Sequence, residues 1–239
     1  MTDAFRDRVA IVTGASRGIG RAVAHRLAER GTHVALVARS EDALEEVAKE
    51  CRERGVRAFS VAADLSDPAA TGSIVERTVR GLGAVHFLVN NAGIFGGGAA
   101  DAADLSRWDR TIDVNLRSLM HLTRRALPEM EKHPRGAVVN IASISGKQSH
   151  AGAGDYCATK HGVIGFSGSV FEDVRERGIK VCAICPGFVA TDMVAGERLR
   201  REKMIQPDDV AETVLFVLGF PDTGCPVEIV LRPQRSPYR

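Results

Sequence analysis

No apolar run in this sequence approaches the roughly 20 residues needed to cross a bilayer, and residues 1–8 lack a signal peptide's apolar core. A soluble, cytoplasmic protein is the expectation. Nor is there an excess of charge: 32 basic and 30 acidic side chains leave a formal net charge of +2, which argues against a nucleic-acid surface. Cysteines are few and odd in number (positions 51, 157, 182, 185 and 225), without a disulfide-framework spacing. Cys182 and Cys185 superficially form C-x-x-C, but they lie in a strand-like run, where positions three apart point to opposite faces. Buried thiols in a reducing compartment are the simpler reading. The histidines show no H-E-x-x-H or comparable pairing, so no metal site is expected. There is no internal repeat and no interdomain linker, and residues 1–239 are expected to form a single domain.

What the sequence has is alternation. Short apolar runs at 9–12, 33–38, 56–62, 85–89, 137–141, 179–185 and 227–231 read as buried strands. Helical spacing falls between them at 19–30, 42–54 and 105–128. Further helices start at Ser66-Asp67-Pro68 and Pro207, and another, carrying Tyr156, ends at Gly178. Strands alternating with helices predict an α/β fold: a parallel seven-stranded sheet, doubly wound with helices on both faces, as in a Rossmann domain. Residues 188–203 have a mixed charge pattern that suits a mobile substrate flap. The basic, proline-rich residues 232–239 are expected to be a flexible tail.

After the first strand comes Thr13-Gly14-Ala15-Ser16-Arg17-Gly18-Ile19-Gly20, spaced G-x-x-x-G-x-G and opening a helix. Such a cluster is either a tight turn or a loop that presents a helix N-terminus to the phosphates of a dinucleotide. The second strand ends in Arg39-Ser40, where a dinucleotide fold binding an unphosphorylated ribose places an acid. Glu41 and Asp42 come later and read as first-turn residues of a helix capped by Ser40. Arg39 and Arg17 are either solvated surface arginines or guanidinium partners for a 2′-phosphate. A missing acid and a present base favour NADP(H) over NAD(H).

Ser143 follows the apolar run 137–141, and Tyr156 and Lys160 are four apart, hence on one helical face if helical. A phenol beside an ammonium is drawn towards a working pH, and a serine hydroxyl can polarise a substrate carbonyl. Taken alone, Y-x-x-x-K is equally an ordinary helix pair. Asn115 interrupts an apolar neighbourhood, where a structural amide is the simpler reading, and Trp108 reads as packing.

Taken together, Thr13-Gly14-x-x-x-Gly18-x-Gly20, Asp64-Leu65, Asn90-Asn91-Ala92-Gly93, Asn115, Ser143, Tyr156-x-x-x-Lys160 and Pro186-Gly187 followed by Thr191 closely resemble the short-chain dehydrogenase/reductase family, in its compact cytoplasmic branch. The resemblance runs from about Arg8 to Thr191. It implies that Tyr156 is the general acid in reduction and the base in oxidation. By the same resemblance Lys160 lowers its pKa and holds the nicotinamide ribose, Ser143 holds the substrate oxygen, and Asn115 fixes a water in a proton relay. It further implies a cofactor site of Thr13, Gly14, Ser16, Arg17, Gly18, Ile19, Gly20, Arg39 and Ser40 on the phosphate side. Asp64 and Leu65 are implied at the adenine, Asn91, Ala92 and Gly93 along the adenosine and ribose, and Pro186, Gly187, Val189 and Thr191 at the nicotinamide end. A homodimer or homotetramer is expected, through the helices around Asn115 and Tyr156.

The family's ketoacyl reductases often end in a segment resembling G-x-x-x-x-x-D-G-G, whereas this chain has Cys225-Pro226-Val227-Glu228-Ile229-Val230-Leu231. That departure favours a general carbonyl/alcohol oxidoreductase acting on a small molecule over the alternative, a 3-oxoacyl thioester reductase with a basic groove of Lys147, Arg198, Arg200, Arg201 and Lys203. A second alternative is a non-catalytic NADP(H)-binding regulator. Phe95, Ser145, His150 and Phe188 are the candidate substrate contacts, with core packing the alternative for the two phenylalanines and a solvated loop for the other two.

Overall fold

The computed structural model describes residues 4–194 and 199–238. Seven strands form one parallel sheet: β1 (Val9–Thr13), β2 (His33–Ala38), β3 (Ala58–Ala62), β4 (Phe87–Asn90), β5 (Ala137–Ile141), β6 (Lys180–Pro186) and β7 (Glu228–Leu231). Their spatial order is β3-β2-β1-β4-β5-β6-β7, so the winding reverses between β1 and β4. The helices are α1 (Gly18–Glu29), α2 (Glu41–Arg52), α3 (Pro68–Leu82), α4 (Leu105–Ile112), α5 (Ser118–Met130), α6 (Gly154–Val174) and α7 (Pro207–Gly219).

Side-chain alternation along the strands builds a core on each face of the sheet. Ala10, Val12, Leu36 and Phe87 pack on one face with Val23 and Leu27 of α1, Val47 of α2, and Val210 and Val214 of α7. Ile11, Val37, Leu88 and Val138 point the other way, to Ile74 of α3, Leu122 and Met130 of α5 and Val174 of α6. Cys182 and Cys185 fall in different clusters, as their spacing on β6 requires.

The helix starts follow from local chemistry. Ser40 accepts a hydrogen bond from the Ala43 N–H (3.4 Å) to cap α2, and Asp67 accepts from Ala69 (2.8 Å) ahead of Pro68 at the start of α3. The stretch read as one helix over 105–128 is broken. A single π-helical turn, Asp113–Arg117, separates α4 from α5 and contains Asn115.

Residues 188–203 contain two short ties: Val189 pairs with Ile205, and Leu199 pairs antiparallel with Tyr238. Residues 232–238, read from the sequence as a loose tail, run along this segment. The Arg200 N–H donates to the Pro237 carbonyl (2.8 Å), and the Tyr238 ring meets Phe188 edge-on at 5.5 Å. Residues 195–198, including Arg198, lie outside the described residues.

Beneath the carboxyl edge of the sheet, a buried amide chain ties both central strands to helices. Asn90 Nδ2 donates to Asn140 Oδ1 (2.9 Å) and Thr123 Oγ1 (3.2 Å), and Asn140 Nδ2 donates to Ser167 Oγ (2.8 Å). Asn140→Ala takes a partner from two buried side chains at once. It is expected to cost about 2–3 kcal/mol, read as a lower denaturation midpoint with an unchanged slope.

Candidate active site

The strand ends at the reversal between β1 and β4 are stitched together by side chains. Thr13 Oγ1 accepts the N–H of Asn91 (2.9 Å) and of Ala92 (3.0 Å), while Asn91 Nδ2 donates to the Thr13 carbonyl (2.9 Å). Thr13 is buried, so it shapes the strand ends rather than facing the crevice. The glycine turn sits directly on this stitch. Gly14 has φ +64°, and a Cβ there would lie 2.8 Å from Asn91 Nδ2; a Cβ on Gly20 would lie 2.2 Å from the Gly14 carbonyl oxygen. Gly18 faces Thr191 across the turn, with the threonine methyl 3.2 Å from where a Cβ would be. Arg17 caps α1 through extended backbone without a side-chain hydrogen bond, so its first-turn N–H groups remain presented to an anion. Ser16 and Ile19, half-buried, complete the turn.

Arg39 at the end of β2 is exposed and has no ion-pair partner among the described residues, whereas Arg17 pairs with Asp192 at 2.9 Å. Asp64 accepts from the Ser66 N–H (2.9 Å) and hydroxyl (2.8 Å), and pairs with Arg110 (2.8 Å). The Ser66 N–H and these further bonds hold its carboxyl below the usual range. Leu65 beside it is buried in the core. A backbone turned to leave no space for Cβ, an uncapped helix N-terminus and an unpaired guanidinium beyond β2 together fit a phosphorylated dinucleotide.

The second half of the site lies at the ends of β5 and β6. Ser143 follows β5 and caps a short 3₁₀ turn by accepting the Ser145 N–H (3.1 Å), and its hydroxyl favours the ionised form of the Tyr156 phenol. Tyr156 and Lys160 share a face of α6, with the Lys160 ammonium 5.6 Å from the centre of the Tyr156 ring. Lys160 is 4% exposed and donates to the Ile141 carbonyl (2.8 Å). Gly93 lies against it: a Cβ there would be 3.7 Å from Lys160 Nζ and 3.5 Å from Asn115 Oδ1.

The electrostatics differ from the sequence expectation in one respect. Burial pushes the Tyr156 phenol up, partly offset by the Ser143 hydroxyl. In the free protein burial outweighs any help from Lys160, whose ammonium lies over the ring and bonds Ile141, and whose own pKa desolvation lowers to about 8.

Asn115 joins this half of the site structurally. Its Oδ1 accepts the Ile94 N–H (2.8 Å), and its Nδ2 donates to the Ile94 carbonyl (2.8 Å) and to Thr159 Oγ1 (3.3 Å). The side chain is thus engaged by the Ile94 backbone and by the Thr159 hydroxyl. Pro186 ends β6, Gly187 donates to the Leu231 carbonyl (2.8 Å), and Val189 is buried beside Ile205.

Of the substrate candidates, Phe95 is exposed with its ring 5.3 Å from that of Tyr156, and Ser145 adjoins Ser143. Phe188 meets Tyr238, and His150 is exposed on the loop before α6. Asp155 escapes sequence reasoning. It is 4% exposed, immediately precedes Tyr156, and accepts the Gly97 N–H at 3.2 and 3.3 Å. An acid beside the tyrosine, opposite a run of three glycines at 96–98, was the available signal.

The winding reversal, the glycine turn against it and a serine–tyrosine–lysine cluster on the same sheet edge define a dinucleotide-binding α/β fold of the oxidoreductase kind. The short chain dehydrogenase family pattern matches residues 8–202. A 3-oxoacyl-[acyl-carrier-protein] reductase, FabG of Staphylococcus aureus, is 36% identical over 219 residues, covering 87% of this chain and 89% of its own. A short chain dehydrogenase from Burkholderia cenocepacia, solved with NADP, superposes with a TM-score of 0.90 at 31% identity, covering 96% and 98% of the two chains. A metagenomic short-chain oxidoreductase, also solved with NADP, gives 0.85 at 33% identity, covering 98% and 100%. The chain belongs to the short-chain dehydrogenase/reductase family.

Lys160 provides a test of the site's energetics. Its folded pKa of about 8 lies below the ordinary 10.5, so the native state holds fewer protons than the unfolded chain between those values. Stability therefore rises with pH through that window, and the full penalty is present below about 8. Lys160→Met is expected to stabilise the free protein at pH 7 by about 1–2 kcal/mol, the desolvation relieved less the bond lost at Ile141. The gain should shrink at pH 10, as read by denaturant titration at both pH values.

Proposed function

We propose that this protein is an NADP(H)-dependent oxidoreductase that interconverts a carbonyl and a secondary alcohol on a small-molecule substrate. The observation that carries the reading is the placing of the Ser143–Tyr156 hydroxyl pair and the buried Lys160 ammonium at the same sheet edge as the uncapped α1 N-terminus. The first-turn N–H groups of α1 would hold the pyrophosphate, Arg39 and Arg17 would take the 2′-phosphate, and Asp64 and Leu65 would border the adenine. When bound, the nicotinamide would supply or accept the hydride.

The residues then handle the oxygen. Ser143 donates to the carbonyl oxygen and Tyr156 gives it a proton as negative charge develops there. Burial keeps Tyr156 protonated over the neutral range, which suits a general acid and supports the reductive direction. The Lys160 ammonium, with one of its three donors spent on Ile141, stabilises the phenolate left behind and turns the others to the ribose hydroxyls. Asn115 holds the floor of this relay in place through Ile94. A cytoplasmic homo-oligomer is part of the same reading: Ile112 and Met120, exposed on α4 and α5, are the apolar surface it would cover.

Similarity to FabG favours a second reading, reduction of a 3-oxoacyl thioester on a carrier protein. Of the basic side chains proposed to meet such a carrier, Lys147 is paired with Glu228 at 2.8 Å and Arg201 donates to the Ala190 carbonyl at 3.1 Å. That leaves less free charge for a phosphopantetheine and favours the small-molecule reading. A regulator that only binds NADP(H) has no use for the Ser143–Tyr156 pair.

A panel of ketones, β-keto esters and acyl thioesters, assayed with both cofactors, separates these readings. Tyr156→Phe is expected to lower kcat at least 10²-fold, with NADPH affinity by fluorescence titration nearly intact; retained turnover would remove the tyrosine from the mechanism. Arg39→Asp is expected to move the NADPH/NADH ratio of kcat/KM towards NADH by at least about tenfold. An unchanged ratio would refute the assignment of the 2′-phosphate to Arg39.

A further inference from the structure

The loop between β4 and α4 is fixed at Ile94, Gly96, Gly97 and Gly98 while the Phe95 side chain between them is left exposed. Asn115 takes both the N–H and the carbonyl of Ile94 (2.8 Å each). Arg107 donates to the Gly96 carbonyl (2.6 Å), and the Gly98 N–H donates to the Gly152 carbonyl (3.0 Å). Between them the Asp155 carboxylate receives the Gly97 N–H on both oxygens, at 3.2 and 3.3 Å. The fit is tight. A Cβ on Gly96 would lie 1.9 Å from Asp155 Oδ2 and 2.5 Å from Thr111 Oγ1, so no other residue can take its place without moving the acid.

The side chain presented by this pinned backbone is Phe95, 51% exposed, its ring 5.3 Å from that of Tyr156 and tilted 57° to it. With its ring against that of Tyr156, the exposed part of Phe95 offers an apolar face to a ligand whose oxygen reaches the phenol. Asp155 also sits in the first turn of α6, where an acid favours the helix dipole. That role alone does not require both oxygens to be turned out of the helix onto a loop 58 residues away.

We propose that Asp155 is a positioning residue for substrate selection: by clamping Gly97 against a side-chain-free Gly96 it fixes Phe95 as an apolar wall beside the Tyr156 phenol, and that wall takes an aromatic substituent on the substrate's carbonyl carbon. The inference rests on the proposed carbonyl–alcohol activity and deepens it by naming the substituent class. A ring stacked against Phe95 leaves its carbonyl oxygen towards the Ser143–Tyr156 hydroxyls. A second aromatic pair, Phe188 with Tyr238, follows β6 at the same edge of the sheet.

The test compares an aryl methyl ketone with an aliphatic methyl ketone of similar size, using NADPH, in wild type, Asp155→Ala, Phe95→Ala and the double variant. Asp155→Ala is expected to lower the aryl-over-aliphatic ratio of kcat/KM by about tenfold, chiefly through the KM of the aryl ketone, with NADPH affinity unchanged. In the Phe95→Ala background it should lower the ratio no further, because it acts through Phe95. Asp155→Asn, which keeps one acceptor for the Gly97 N–H, should restore most of the selectivity; it also carries the comparison if the alanine variant does not fold. In the free protein, Asp155→Ala should speed hydrogen exchange at Gly97. Equal losses on both ketones, additive effects in the double variant, or unchanged exchange at Gly97 would each overturn the proposal. If wild type binds NADPH but reduces no carbonyl compound, the activity reading fails instead, and the exchange measurement still decides whether Asp155 holds the loop.

Discussion

The contact on which the site depends is the stitch between the ends of β1 and β4. Parallel strands whose crossovers leave in opposite directions open a crevice at their carboxyl ends. How near a ligand can come is then set by how closely the two ends approach. Here the Thr13 hydroxyl bridges two N–H groups of the facing strand end, and the Asn91 amide returns to the Thr13 carbonyl. The glycine turn closes on that pair with no space for a side chain at Gly14 or Gly20. Thr13 and Asn91 thus set the shape of the backbone at the crevice, which is why polar residues are found where no solvent reaches Thr13.

The same sheet edge carries an energetic cost at Lys160. An ammonium buried with one carbonyl partner is poorly compensated, and its pKa falls to about 8. The phenol of Tyr156 moves the other way, since burial disfavours the phenolate. The free protein therefore holds the phenol firmly protonated and the lysine less firmly charged than either would be in water. Charge developing on the phenol during proton transfer is what the ammonium can compensate, and the cost of burying it is then partly recovered. The penalty is tolerated because apolar clusters on both faces of the sheet stabilise the strands that support it.

Much of this was legible in the chain because it is local or periodic. Apolar runs marked all seven strands, and the four-residue spacing of Tyr156 and Lys160 put them on one face of α6. Edges were less legible: Val56 and Val85 are buried like strand residues but precede the paired ladder, so burial alone set β3 and β4 two residues too early. The π-helical turn at Asn115 was not visible either, since the surrounding sequence keeps a helical pattern and only the bonds to Ile94 explain the break. The docking of 232–238 was hidden for a related reason: it rests on the Tyr238–Phe188 ring contact and on main-chain bonds, which leave no periodicity to read. The net rise of the tyrosine's pKa was not legible either, because spacing fixes the shared face but neither the burial of the phenol nor the direction of the ammonium, which turns to Ile141.

Asn115 and Asp155 do equivalent work, though only the first was singled out from sequence. Each side chain leaves its own helix to hold the main chain of the β4–α4 loop, one at Ile94 and the other at Gly97. Two residues between such fixed points have little conformational freedom, and one of them is Gly96, closed in by Asp155 and Thr111. The other, Phe95, keeps only its side-chain torsions, so on the proposed reading its identity would change the pocket wall while its backbone stays in place. In the proposed mechanism proton transfer belongs to α6 and to the turn after β5, on different elements from that wall. A fold that separates the two in this way can alter which carbonyl compound it accepts by substitution at one position, without disturbing the hydroxyls that act on the oxygen.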